Sequence, residues 1–215
     1  MSGGISTLWI LSTESDRPTT AFTLKSTMPP KAGCRFSGPI AAAILSGCRP
    51  VGRTTSAAIP SGGDTNIIML NIDLLLMKKT LQQVRDFVQT NRVCSVPGLT
   101  FMSSLSDSNG NVLHIVPGRG FKYYEKPDYQ IMTNFPPFVP TPLQHPWMGL
   151  DRYQKAESML AAATDEFDVD DCFCVLKEVS QTVCPTVISM VYDVTEKTVY
   201  WCYDRNYSRV ESKRF

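Results

Sequence analysis

Gln130-Ile-Met-Thr-Asn-Phe-Pro-Pro-Phe138, a Pro-rich loop, and then Leu150-Asp-Arg-Tyr153 form the stretch around which the rest of the chain can be ordered. Tyr129 to Met132 reads as a short apolar strand that stops at Thr133-Asn134. Pro136 and Pro137 remove two ladder donors and force an extended exit. An Asn held where a strand breaks into a Pro-fixed loop has a positioned amide, and that amide can donate to an oxyanion. Five prolines, at 136, 137, 140, 142 and 146, stiffen the loop. A stiff loop can return the chain to the same sheet edge. Arg152 then opens a helix. The plainer alternatives are a turn-forming Asn134 and a solvated Arg152.

The C-terminal third continues the pattern. Asp151 is a candidate N-cap with Gln154 reaching back to it, and Tyr153, Ala156, Met159, Leu160 and Ala163 make an apolar stripe. Asp168 caps a second helix whose stripe is Val169, Cys172, Phe173, Leu176 and Val179. Val187 to Val194 alternates as a strand, Thr195-Glu-Lys-Thr198 turns, and Val199 to Tyr203 pairs back. Upstream, Thr80 and Gln83 have capping-box spacing ahead of a helix to Thr90, with Leu81, Val84, Phe87 and Val88 on one face. Leu99 to Ser106 and Val112 to Val116 flank Asp107-Ser-Asn-Gly-Asn111, a strong hairpin signal. Phe121 to Tyr124 and Tyr129 to Met132 extend this into an antiparallel meander. Helices, a meander and a hairpin predict an α+β domain over 67–215.

The N-terminal third differs in texture. Residues 1–12 contain a β-rich segment with Ile5, Leu8, Trp9 and Ile10, expected as an isolated, partly buried edge strand. Arg17 to Gly63 holds no acid, Tyr, Asn or Gln, yet six basic residues. Its one helix-length patch is Pro39 to Leu45. We therefore expect 13–66 to be a low-periodicity insert or disordered segment.

Composition narrows the function classes. The chain has 215 residues, 43% hydrophobic, with a formal net charge of +1. That suits one folded domain and argues against nucleic acid or an anionic membrane surface as partner. The longest apolar stretch, Ile67 to Met77, includes Asn71 and Asp73 and is about half of the ~20 residues a bilayer requires. No signal peptide is visible. Seven cysteines stand at 34, 48, 94, 172, 174, 184 and 202, an odd number without a CxxC. Cys172-Phe-Cys174 is a weak metal signal, and His114 and His145 lie far from it, so neither metal nor cofactor is expected. Buried free thiols point to a reducing cytoplasm. Cys94, Cys172, Cys174, Cys184 and Cys202 fall in helix or strand patterns and read as core.

Taken in order, several segments resemble the choloylglycine hydrolase family, also called linear amide C–N hydrolases, over roughly residues 78–206. They are Leu81-Gln-Gln-Val-Arg-Asp-Phe87, Ser106-Asp-Ser-Asn-Gly-Asn111, Thr133-Asn-Phe-Pro-Pro-Phe138, Asp151-Arg-Tyr-Gln-Lys-Ala-Glu157, Cys184-Pro-Thr-Val-Ile-Ser-Met-Val-Tyr-Asp-Val194 and Thr198-Val-Tyr-Trp-Cys202. The resemblance implies an N-terminal-nucleophile fold, a layered sandwich of antiparallel sheets between helix pairs. It implies Asn134 as oxyanion donor and Arg152 as the charged residue of the site. The substrate would be a small N-acyl amide, such as a conjugated bile salt, a penicillin-like amide or an acyl-homoserine lactone, and the protein could be a homo-oligomer.

In that family a Cys at the mature N-terminus attacks the amide, with its own α-amine as base. Here Met1-Ser-Gly-Gly-Ile-Ser-Thr-Leu-Trp9 resembles a later family strand, so the strands carrying Cys, Arg and Asp are expected to be missing. Cys34 does not restore them. Phe36 is followed by Ser-Gly-Pro39 rather than by a strand, and no acid follows within twenty residues. The expectation is an incomplete or inactive amidase form. The alternatives are a non-catalytic binding or structural protein that retains the C-terminal half of the fold, and an unrelated α+β domain.

Overall fold

A computed structural model of the chain describes residues 65–76, 78–95, 100–107, 109–133, 138, 149–164, 167–182, 186–193 and 196–214, together with the backbone of 7–11, 21–24 and 42–48. Within these residues the helices begin where short polar side chains can satisfy free N–H groups. Asn66 Oδ1 accepts from Ile68 N–H at 2.8 Å and starts α1, Ile67–Leu75. Thr80 and Gln83 close a reciprocal capping box at the start of α2, Leu81–Thr90. Asp168 does the same with Asp171 for α4, Val169–Glu178. Such caps occupy donors that the first turn cannot pair internally.

The third helix in chain order, α3 at Leu150–Ala161, departs from the expected cap. Its N-cap is Gly149, not Asp151, and Gly149 makes no side-chain cap. Asp151 lies in the first turn instead, where its charge complements the helix dipole. The stripe runs through Ala156 and Leu160 but ends with the helix, and Ala163 is exposed.

The strands form two antiparallel sheets and one parallel pair. The six-stranded sheet contains β1 (Thr7–Leu11), β2 (Ala21–Leu24), β9 (Tyr129–Met132), β10 (Ile188–Asp193), β11 (Thr198–Tyr203) and β12 (Glu211–Arg214), in the order β12-β11-β10-β1-β2-β9. The four-stranded sheet contains β3 (Ala42–Cys48), β6 (Thr100–Ser106), β7 (Val112–Val116) and β8 (Gly120–Tyr124), in the order β3-β6-β7-β8. The parallel pair joins β4 (Thr65–Asn66) to β5 (Val93–Cys94).

Three placements differ from the sequence expectation. The segment at 1–12 gives β1, which is not an isolated edge but lies between β10 and β2. The patch at 39–45, expected as helical, contributes to β3, which pairs with β6 over seven positions from Ala42↔Ser106 to Cys48↔Thr100. Local helix propensity in an Ala-rich run is worth only tenths of a kcal/mol per residue, and a long cross-strand ladder outweighs it. The meander is also shorter than expected. β6, β7 and β8 are consecutive neighbours, but β9 leaves them and pairs with β2 in the other sheet. The redirection follows Lys126, which adopts φ 42° ahead of Pro127.

Each sheet packs against one helix pair. Leu105, Leu113 and Ile115 of the four-stranded sheet form a core with Ile67, Leu70 and Leu74 of α1 and Leu81, Val84 and Val88 of α2. Arg85 of α2 lies over the Tyr123 ring, 4.1 Å from its centroid. Ser103 donates to Asn71 Oδ1 at 3.0 Å, which explains one polar residue within the apolar α1. On the six-stranded sheet, Ile131, Val191 and Cys202 pack with Ala156 and Leu160 of α3 and Cys172, Phe173, Val175 and Leu176 of α4. Alternation puts Val112, His114 and Val116 on the opposite face of β7 from Leu113 and Ile115. There Met102 and Val116 cluster with Met132 of β9 and with Phe138, linking the two sheets. The architecture is α+β with antiparallel sheets.

Candidate functional site

The site grows from the end of β9 and the start of α3. Met132 is buried in the inter-sheet cluster, and the next residue, Thr133, is also buried, with 1% of its surface exposed. Its hydroxyl Oγ1 has no hydrogen-bond partner among the described residues. Asn134 lies outside the described residues, as does the Pro-rich loop apart from Phe138. The chain re-enters at Gly149, with φ 89° and ψ 18°. Left-handed backbone at that point suits glycine, and it turns the chain directly into α3.

Arg152 is the third residue of α3. It is 8% exposed, so the solvated alternative does not hold. Its guanidinium folds back over the helix start. A Cβ built on Gly149 would lie 2.7 Å from Arg152 Nη2, 3.3 Å from its Cζ and 3.3 Å from Thr133 Cβ. Glycine therefore leaves the space that the guanidinium fills, and the end of β9 forms the facing wall. Thr133 meets Gly149 and Arg152 although 16 and 19 residues separate it from them in sequence.

An aromatic layer adjoins this junction. Tyr153 is half-buried beside Arg152. Burial raises its phenol above the ordinary range, and Glu157, Tyr129 and Tyr124 add smaller effects in the same direction. Tyr124 meets His114 edge-on, with ring centroids 5.1 Å apart, and Lys122 Nζ lies 4.9 Å from the Tyr124 centroid. His114 is fully buried, and neither of its ring nitrogens has a hydrogen-bond partner among the described residues. Desolvation lowers its pKa to about 3, with Lys122 adding to the shift, so the imidazole is neutral at physiological pH.

The buried thiols among the described residues do not resemble activated nucleophiles. Cys172 is buried, and burial pushes its pKa well above the usual thiol range, with Asp171, Asp168 and Asp193 adding to it. Cys202 is raised for the same first reason, although Ser189 works against it. Cys94 is buried and its Sγ donates to Thr65 O at 3.4 Å. Cys174, expected in the core, is exposed on α4. Its neighbours Cys172 and Phe173 occupy the buried stripe, and one residue further the helix has rotated toward solvent. Cys34 and Cys184 lie outside the described residues, and only the backbone of Cys48 is described. Among the described residues no group of three His, Cys, Asp or Glu side chains could hold a metal ion. No described helix is long and apolar enough to cross a membrane.

In the sequence, Thr133 was legible only as a strand end and as the first residue of Thr133-Asn-Phe-Pro-Pro-Phe138, and no role in a site was assigned to Gly149 or His114. A signal existed for both. Gly149 is a lone glycine directly before a helical pattern, and His114 is the one polar residue in an otherwise apolar five-residue strand.

No protein-family model and no curated protein sequence matches the chain. Solved structures do. Two variant forms of conjugated bile acid hydrolase from Clostridium perfringens align over 100% of this chain and 87% of theirs, at 12% identity, with TM-scores of 0.54 and 0.55. Penicillin V acylase from Agrobacterium tumefaciens aligns over 94% of this chain and 76% of its own, at 15% identity and TM-score 0.55. At such identities the likeness concerns the fold: this chain has an α+β architecture similar to that of these two hydrolases.

Proposed function

We propose that this chain is a form of the linear amide C–N hydrolases, with their N-terminal-nucleophile type of layered sandwich, and that it takes a small N-acyl amide at the β9–α3 junction. The observation that carries the reading is the buried Arg152 guanidinium, fixed against Gly149 and Thr133 at the strand-to-helix junction. A planar, permanently charged fork in a partly desolvated position suits a carbonyl or carboxylate oxygen. Asn134, the residue after Thr133 in the sequence, is the proposed oxyanion-type donor. The likeness to a bile acid hydrolase and a penicillin acylase supports the choice of linear amides. The ligand is then a conjugated bile salt, a penicillin-like amide or a related N-acyl compound. A cytoplasmic setting suits the free thiols.

The alternative of a purely non-catalytic binding or structural protein draws support from the raised thiol pKa values, since a protonated, buried thiol is a poor nucleophile. Both readings are tested together. Purified protein is incubated with glycine-conjugated bile salts and phenoxyacetyl amides, and released amine and ligand binding are measured separately. We expect saturable binding, weakened about tenfold or more in Arg152→Gln. Amine release that disappears in Cys34→Ala would make the chain an active amidase. Absence of binding across the panel would remove the amide reading and favour a structural role.

A further inference from the structure

A guanidinium on a helix start is held only as well as its surroundings hold it. Arg152 has a long, rotamer-rich side chain, and ordering it costs entropy. The structure limits that freedom in two ways. Gly149 offers no Cβ, so Nη2 and Cζ pack directly over its Cα, at 2.7 and 3.3 Å from where a Cβ would be. Thr133 closes the other side, its own Cβ 3.3 Å from the same point. A side chain at residue 149 would displace the guanidinium from that position. Thr133 also brings a hydroxyl that is buried and has no hydrogen-bond partner among the described residues. A buried hydroxyl in that state is costly unless something fills its bonding capacity.

We propose that Gly149, Thr133 and Arg152 form one recognition notch for a planar oxygen acceptor, the carboxylate or carbonyl of an N-acyl amide, with Gly149 as the positioning residue. Arg152 supplies the charge, and Thr133 supplies a neutral O–H donor to the same acceptor. Gly149 keeps the two side by side. The proposal rests on the amide reading above and extends it to Gly149, which lies outside the family motifs, and to the hydroxyl of Thr133, the first residue of one of them. It also specifies chemistry: an acceptor with two in-plane oxygens uses both donors, and a neutral amide in its place uses them less well.

The test has one arm that needs no ligand. The Arg152 Nε–Hε cross-peak is assigned in ¹H–¹⁵N spectra of the full chain by its loss in Arg152→Gln. In the wild type it should be shifted away from exposed arginines and slow to exchange. Gly149→Ala and Gly149→Asn should both move it toward the exposed position. The Asn variant tolerates left-handed backbone and so separates backbone strain from the added Cβ. Thr133→Val should perturb the peak, and Thr133→Ser should leave it near the wild-type position. Melting curves identify any variant that fails to fold, and the Thr133 pair then decides the matter. The second arm measures binding of N-benzoylglycine and of N-benzoylglycinamide. We expect the carboxylate to bind about tenfold more tightly, with that preference lost in Gly149→Asn and Thr133→Val and kept in Thr133→Ser. A cross-peak insensitive to residues 149 and 133 overturns the notch, whether or not amides bind. An intact cross-peak response with no binding of either probe overturns the ligand assignment and, with it, the amide reading of the site.

Discussion

His114 offers a quantitative test of how the two sheets meet. The folded chain holds this imidazole fully buried and neutral, with a pKa of about 3 against 6.5 for an unburied histidine. Between those two values the unfolded chain binds a proton that the folded chain refuses. Stability therefore rises with pH across this window: the contribution is complete above pH 6.5 and is lost as pH falls toward 3. One pKa unit corresponds to about 1.4 kcal/mol, so this residue alone should remove about 2 kcal/mol by pH 5 and about 3 by pH 4. Carboxylates titrate in the same range, so the perturbation must isolate the imidazole. His114→Leu replaces it with an apolar side chain of similar size. At pH 7.5 the variant should be within about 1 kcal/mol of wild type or more stable, because two unpartnered buried nitrogens disappear. The assay is urea unfolding followed by tryptophan fluorescence from pH 7.5 to 4.5, with the m-value checked at each pH. The wild-type curve should fall below the variant curve by about 1.4 kcal/mol per pH unit once pH drops under 6.5. Parallel curves over that range would refute the burial of His114 between the sheets.

Two further outcomes follow from the six-stranded sheet and its helices. The Tyr207 hydroxyl donates to Leu176 O at 3.1 Å and shares a 3.0 Å hydrogen bond with Ser189 Oγ, tying the segment after β11 to α4 and β10. Tyr207→Phe should lower stability by about 1–2 kcal/mol, or Tm by roughly 2–6 °C, in thermal unfolding, and an unchanged Tm would remove this tie. Among the described thiols, Cys174 should react with an aromatic disulfide reagent in the native protein, while Cys94, Cys172 and Cys202 should react only on unfolding. Peptide mapping of the labelled sites would contradict the packing of α4 if Cys172 were modified first.

How much of this was legible in the sequence depended on whether a feature is local. Asp107-Ser-Asn-Gly-Asn111 specified the hairpin of β6 and β7, because turn chemistry is written in adjacent residues: Asp107 Oδ1 accepts from Asn109 and Asn111 N–H groups at 2.9 and 3.0 Å. The Thr80–Gln83 and Asp168 caps were readable for the same reason. Partner choice was not. Four residues from Tyr129 to Met132 alternate equally well beside β8 or beside β2, and nothing within them encodes the change of sheet. β12 was missed because Glu211-Ser-Lys-Arg214 has no apolar alternation. It is an exposed edge strand held by its ladder to β11, and its charges discourage pairing with another chain.

The candidate site was legible in a different way, through conflict with local rules. A cation in the first turn of a helix opposes the dipole, and burying it adds a desolvation penalty. The residue best placed to cap α3, Asp151, does not do so, and a glycine in left-handed backbone takes the position instead. Directly opposite stands a buried threonine hydroxyl without a partner among the described residues. Each of these costs folding free energy, and elsewhere in the described chain the helix starts obey the rules: Asn66, Thr80 and Asp168 all cap. Local choices that disagree with stability concentrate where a chain holds a group for use. The departures meet within a few ångströms at Gly149, at the point where the sequence places an Asn after a strand and an Arg after a Pro-rich loop. That coincidence, more than either motif alone, is the physical reason to look for a ligand at the β9–α3 junction.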